Sequence, residues 1–338
     1  MKKIDYRFSV APMMDWTDRH CRAFHRELSA HALLYTEMVT ADAVIHGDRE
    51  RLIGYSDVEH PVALQLGGNE PAKLAEAAKI VEDFGYDEVN LNCGCPSDRV
   101  QSGAFGPCLM REPDLVADCL SAMQKVVSIP VTVKHRIGVD EDDERERVYG
   151  FVETISRKSD CRVFIAHARK AWLKGLSPKE NRDIPPLNYP LIHELKSDFP
   201  DLTIVLNGGL ATLEDSLPHL DKLDGVMLGR APYQNPSLML DVDPLVFGAP
   251  KRHQDMISAM LAYRDYIAGA LKNGTPLHAI TRHILGSFNG LPGARQWRRH
   301  LSENAPRAGA DITVFDAALA LVQKHHMQAE KITNPQPV

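Results

Sequence analysis

No stretch of this chain approaches the ~18 consecutive apolar residues that a membrane span needs. The N-terminus, MKKIDYRFSVAPMMD, carries two lysines but no apolar core of signal-peptide length. Membrane insertion and export are therefore not expected. Cysteine is scarce. Six cysteines in 338 residues (Cys21, Cys93, Cys95, Cys108, Cys119 and Cys161) do not make a disulfide framework, which points to the reducing cytoplasm. Zinc spacing is missing as well: Cys93-x-Cys95 is not the CxxC of common sites and no paired histidines lie nearby, so no metal is expected. A basic excess is absent too. The net charge of -6 argues against coating nucleic acid by bulk electrostatics, though not against a local basic face. What remains, 44% hydrophobic and 25% charged, is the composition of an ordinary globular protein.

Short β-rich apolar runs recur at 8–10, 33–36, 62–66, 88–91, 131–133, 162–166, 203–206 and 225–228, eight in all. Intervening segments such as PAKLAEAAKIVEDFG and EPDLVADCLSAMQKVV place apolar residues at i, i+3, i+4 and i+7. The second opens on Glu112-Pro113-Asp114, an acidic, Pro-marked helix start. Strands alternating with helices imply parallel pairing and right-handed crossovers. Eight such units over about 230 residues match a closed (β/α)8 TIM barrel. A doubly wound open sheet is the competitor, but it rarely has eight units with so little left over.

After Arg230, the prolines at 232, 236, 244 and 250 punctuate a linker, and the chain reads as helical from about Gln254. The expected organisation is a barrel over 1–240 followed by an all-helical domain over 241–338. Residues 251–307 hold nine Lys and Arg against three acids. A local balance of +6 on an acidic chain suggests an anionic partner for the helical domain. Trp297, flanked by arginines, is either a stacking ring or core.

A barrel places its chemistry at the C-terminal ends of its strands. Those ends carry Ala11-Pro12-Met13, Glu37, Gln65-Leu66-Gly67-Gly68, Asn92 to Cys95, Lys134-His135-Arg136, His167-Ala168-Arg169, Asn207-Gly208-Gly209 and Gly229-Arg230. Nearly every strand delivers a polar side chain or glycines to one rim. The glycines after strands seven and eight fall where many barrels bind a phosphate, and Arg230 adds a charge-assisted contact. Lys134 would stabilise negative charge on a reduced flavin or an enolate, and Gln65 offers donor and acceptor to a heterocycle. Cys95 reads as nucleophile, metal ligand or proton donor. A thiol with a pKa near 8.5 is largely protonated at neutral pH and can protonate a carbanion.

The segments APMMDWTD (11–18), LQLGG (64–68), NLNCGCPS (90–97), VKHRIG (133–138), HAR (167–169), NGG (207–209) and GR (229–230) resemble the tRNA-dihydrouridine synthases. The likeness covers essentially the whole chain. It implies FMN at the barrel mouth, NADPH as reductant, and reduction of a uridine C5–C6 bond in tRNA. By the same resemblance Cys95 is the catalytic proton donor and Cys93 a variable neighbour. Ala11, Pro12 and Met13 would lie beneath the flavin, with Gln65, Lys134 and His167 as its polar ligands. Asn207, Gly208, Gly209, Gly229 and Arg230 would cradle the FMN phosphate, and Asn92 would contact RNA near the target base. Segments 167–182 and 294–304 look like the bacterial A-type members, which modify D-loop positions 20 and 20a. On that likeness Lys179, Arg182, Arg295 and Arg298 or Arg299 orient the tRNA. No obligate protein partner is expected. Two other readings stay open: a flavin barrel acting on a free pyrimidine, and a non-catalytic tRNA-binding protein on an old barrel.

Overall fold

The computed structural model describes residues 4–95 and 106–333, so Pro96 and Ser97 of the cysteine motif lie outside it. All eight expected runs are strands: β1 Phe8–Val10, β2 Leu33–Thr40, β3 Val62–Gly67, β4 Glu88–Cys93, β5 Val131–Arg136, β6 Val163–His167, β7 Thr203–Asn207 and β8 Gly225–Leu228. Each pairs in parallel with its neighbour in chain order, and β8 returns to β1 to close the barrel. Strand β2 runs on past its polar Glu37, with a register shift between Tyr35 and Met38. An apolar run could not show that extension.

Helix Pro71–Phe84 illustrates the crossovers. Proline occupies its first turn, where no backbone donor is needed, and Gly85 ends it at φ +105°. Its buried face is Leu74, Ala77, Ala78 and Val81, the expected helical stripe. Inside the barrel, Ala11, Leu33, Tyr35, Ala63, Ile165, Val205 and Met227 form an apolar cluster. The rest of the interior, on β3 to β5, is polar.

By internal contacts the chain forms two units, Met1–Thr17 with Ala32–Gly229, and Asp18–His31 with Arg230–Val338. The division falls at Gly229 rather than at 240, and helix Arg19–Leu28 belongs to the second unit. Nearly the whole helix is buried, at Cys21 to Arg26 and at Leu28. Phe24 packs on Tyr263, and Asp18 caps the helix while accepting from Arg282 and His283. Trp297 is core: it is fully buried, donates to the Ile284 carbonyl, and meets Phe288 and Phe315 edge-on. Among the described residues no helix is long and apolar enough to cross a membrane.

Candidate active site

The period-two alternation of strands decides what faces the barrel mouth. On β4, Glu88, Asn90 and Asn92 share one face, and Leu91 and Cys93 do not alternate with them into the interior. Cys93 is fully buried, and burial pushes its thiol well above the ordinary value. It packs as a core residue. Asn92 is different. Its Oδ1 accepts from the backbone N–H groups of Gly94 and Cys95, both at 3.0 Å. From the other side Arg136 Nε donates to the Gly94 carbonyl at 2.9 Å. The peptide that enters Cys95 is thus held by its C=O and its N–H at once, while Cys95 itself is half-exposed.

Lys134 ends two residues before Arg136 on the same face of β5. Its Nζ donates to Asn207 Oδ1 on β7 at 2.8 Å, and Asn207 Nδ2 donates to the Met227 carbonyl on β8. Burial first, then the Arg136 guanidinium, pulls the Lys134 ammonium down to about 7, and the Cys95 thiol counteracts this. The thiol therefore lies within electrostatic reach of two cations, Lys134 and Arg136. Burial and the surrounding cations hold His167 well below its ordinary range, which favours the neutral imidazole. Gln65 is buried, with Nε2 donating to Asn90 and Oε1 accepting from Asn92.

The glycine turn after β7 is forced. Gly208 and Gly209 both adopt positive φ, +109° and +71°, and a Cβ on Gly208 would strike the His167 ring at 2.5 Å. Tyr189 braces the turn by donating to the Gly208 carbonyl. Gly229 is the opposite case. Among the described residues a Cβ there would meet Ala11 and Met13, both at 3.9 Å, which is ordinary van der Waals contact, so none of them requires a glycine. Arg230 follows as the first residue of helix Arg230–Gln234 in the second unit. Ala11 is tied in place through its N–H to the Leu228 carbonyl, and Met13 through Thr17.

The barrel unit therefore gathers Ala11, Gln65, Asn92, Cys95, Lys134, His167, Asn207, Gly208, Gly209 and Gly229 at one end of the strands. Lys179 and Arg182 are exposed on the loop after β6, around the short helix Glu180–Asp183. Arg169 spends its Nη1 on the Asp183 and Pro185 carbonyls of that loop. Arg136, a rim residue to which the sequence assigns no role, also donates to the Lys170 and Asn181 carbonyls and so binds the β4 and β6 loops together. Its position two residues after Lys134 was the available signal.

In the second unit, helix Ala294–Asn304 buries Ala294, Trp297 and Leu301 and exposes Arg295, Arg298 and Arg299. Arg299 pairs with Glu303, Arg298 donates to Asn289, and Arg295 pairs with no acid among the described residues. The basic excess of this region is smaller than its count. Lys251, Arg252, Arg264 and Arg282 meet Asp241, Glu27, Asp316 and Asp18, all outside 251–307.

A closed parallel barrel whose strand ends converge on a thiol, a lysine and two glycine turns defines a barrel enzyme. Solved structures share the fold: morphinone reductase (TM-score 0.51, 12% identity, covering 74% of this chain and 87% of that one) and a mutant of it in complex with tetrahydroNAD (TM-score 0.52, 12% identity, 75% and 90%). A sequence profile described as dihydrouridine synthase matches residues 9–323, and the chain belongs to that family of oxidoreductases. It is 60% identical over 316 residues to the tRNA-dihydrouridine(20/20a) synthase of Escherichia coli K12, covering 94% of this chain and 91% of that protein. The protein of the same name from Vibrio cholerae is 57% identical over 319 residues, covering 94% and 96%.

Proposed function

We propose that the protein reduces the C5–C6 bond of uridine in the tRNA D-loop to 5,6-dihydrouridine, at positions 20 and 20a, using FMN and NADPH. The observation that carries this is the doubly held Gly94–Cys95 peptide, which fixes the backbone of Cys95 at the barrel mouth. The names of the 57–60% identical relatives support the positions.

The residues present fit FMN. Two left-handed glycines can turn their amides to an anion, and among the described residues none approaches a Cβ on Gly229 closer than 3.9 Å. Asn207, Gly208, Gly209, Gly229 and Arg230 would hold the phosphate. Ala11, Pro12 and Met13 would lie under the ring, with Gln65, Lys134 and His167 at its polar edge. When bound, FMN supplies to uracil C6 a hydride that NADPH renews. Cys95 donates a proton to C5 from the opposite face of the base. Lys134 balances the negative charge that builds up before that transfer, and Asn92 helps orient the base. Lys179, Arg182, Arg295 and Arg298 would meet tRNA phosphates, offsetting the few kcal/mol needed to pull a base out of the loop. The six free thiols support a cytoplasmic setting.

The test is dihydrouridine mapping after incubating purified protein with NADPH and unmodified tRNA. Dihydrouridine at 20 and 20a supports the proposal. Equal turnover of free UMP favours a free-pyrimidine enzyme and would overturn the tRNA assignment.

A further inference from the structure

A TIM-barrel interior is normally filled by branched apolar side chains. Half of this one is not. Five hydrogen bonds run in a single direction from the mouth toward the far end of β4. Cys95 N–H donates to Asn92 Oδ1 at 3.0 Å, and Asn92 Nδ2 to Gln65 Oε1 at 2.7 Å. Gln65 Nε2 donates to Asn90 Oδ1 and Asn90 Nδ2 to Thr132 Oγ1, both at 2.8 Å. Thr132 Oγ1 donates to Glu88 Oε1 at 2.6 Å. Glu88 is fully buried and also accepts from Tyr35 and Tyr6.

The order is not arbitrary. A backbone N–H can only donate, so Asn92 must turn its oxygen to Gly94 and Cys95 and its nitrogen to Gln65. That choice fixes the Gln65 amide, which fixes Asn90, which leaves Thr132 only its proton to give, and Glu88 takes it. Such chains reinforce one another in a low dielectric, and reversing any amide leaves buried groups unpaired. Burying five polar side chains costs more than apolar packing would, and the column ends on the residue whose placement the chemistry needs.

We infer that Thr132 and Glu88, which touch neither the thiol nor the rim, are positioning residues for Cys95, acting through Asn90, Gln65 and Asn92. The inference rests on Cys95 being the proton donor. Thr132→Val keeps the side-chain shape and cuts the column; Thr132→Ser restores the hydroxyl. Two readouts are taken on the full-length enzyme, with thermal unfolding alongside. One is the rate of Cys95 alkylation by iodoacetamide, followed on its own peptide. The other is kcat and KM for tRNA reduction.

Thr132→Val is expected to change the alkylation rate at least threefold and to lower kcat about tenfold at near-constant KM, with Thr132→Ser within twofold of the parent on both. A kcat within twofold of the parent, a kcat loss with alkylation unchanged, or no rescue by serine would each overturn the inference. Should Thr132→Val not fold, Asn90→Leu cuts the column one link nearer and is read the same way. Cys95→Ala, run in parallel, separates the two ideas: if it keeps turnover, the proton-donor reading falls, whereas the alkylation comparison still judges the column.

Discussion

Arg136 Nε donates to the Gly94 carbonyl at 2.9 Å, and the same guanidinium reaches the Lys170 and Asn181 carbonyls. One buried side chain therefore satisfies three backbone acceptors on two loops. Lysine keeps the charge but has no planar fork to reach all three. Arg136→Lys should lose on the order of 2–4 kcal/mol in denaturant unfolding, since buried acceptors are left without donors. Unchanged stability would show that the loops do not depend on this staple.

Cys95→Ala removes a half-exposed thiol and disturbs little packing. Dihydrouridine formation should fall by roughly 10²-fold or more, the usual worth of a positioned acid. NADPH oxidation and the unfolding midpoint should stay near the parent's. Dihydrouridine counted by mass spectrometry of digested tRNA reads the first, and stopped-flow absorbance the second.

Lys134 has its ammonium pulled down to about 7, chiefly by burial. It is charged below that pH and neutral above it. Affinity for FMN, an anion, should therefore weaken as pH rises from 7 to 9, and Lys134→Met should bind more weakly with a flat profile. Fluorescence titration of protein stripped of flavin measures both curves.

Burial raises the Glu88 carboxyl from 4.5 to about 7. Between those values the folded chain holds a proton that the unfolded chain has released. Raising pH across that window thus removes stability, and above it the loss is constant. The total is on the order of 3 kcal/mol. Glu88→Gln should lack this slope, so its unfolding free energy should gain on the parent's from pH 4.5 to 7. Parallel slopes would rule out a strongly raised carboxyl.

Arg295 and Arg298 project from one helix face without acidic partners among the described residues, whereas Arg299 is paired with Glu303. Replacing Arg295 and Arg298 by Glu should raise KM for tRNA and flatten its salt dependence by one to two units of log–log slope. Arg299→Ala should do much less. Flavin reduction by NADPH alone should be unaffected in all three. A fall there would make the helix structural.

The barrel was legible because eight apolar runs at regular spacing leave few alternatives, and the rim residues follow from where strands end. What escaped were relations that span the chain. Glu88 and Asn90 sit inside a run that reads as apolar, and only barrel closure shows that their face meets Thr132 and Gln65. Helix Arg19–Leu28 carries no sign in its own residues of its partners, which lie some 240 residues onward, as in the Tyr263 to His20 bond with a separation of 243. The count of nine cations overstated free charge for the same reason: the neutralising acids are distant in sequence.

The helical unit is built from two visits of the chain, and this constrains how the protein comes into being. Asp18 leaves the ribosome 264 residues ahead of Arg282, with strands β2 to β8 synthesised in between. Until then its helix cap has no cation from Arg282, and Phe24 lacks its Tyr263 partner. The second unit thus completes only when translation is nearly finished, however early the barrel closes. Nor can it be exchanged between relatives by a single crossover: a chimera joined at Gly229 inherits the cap from one parent and its partners from the other.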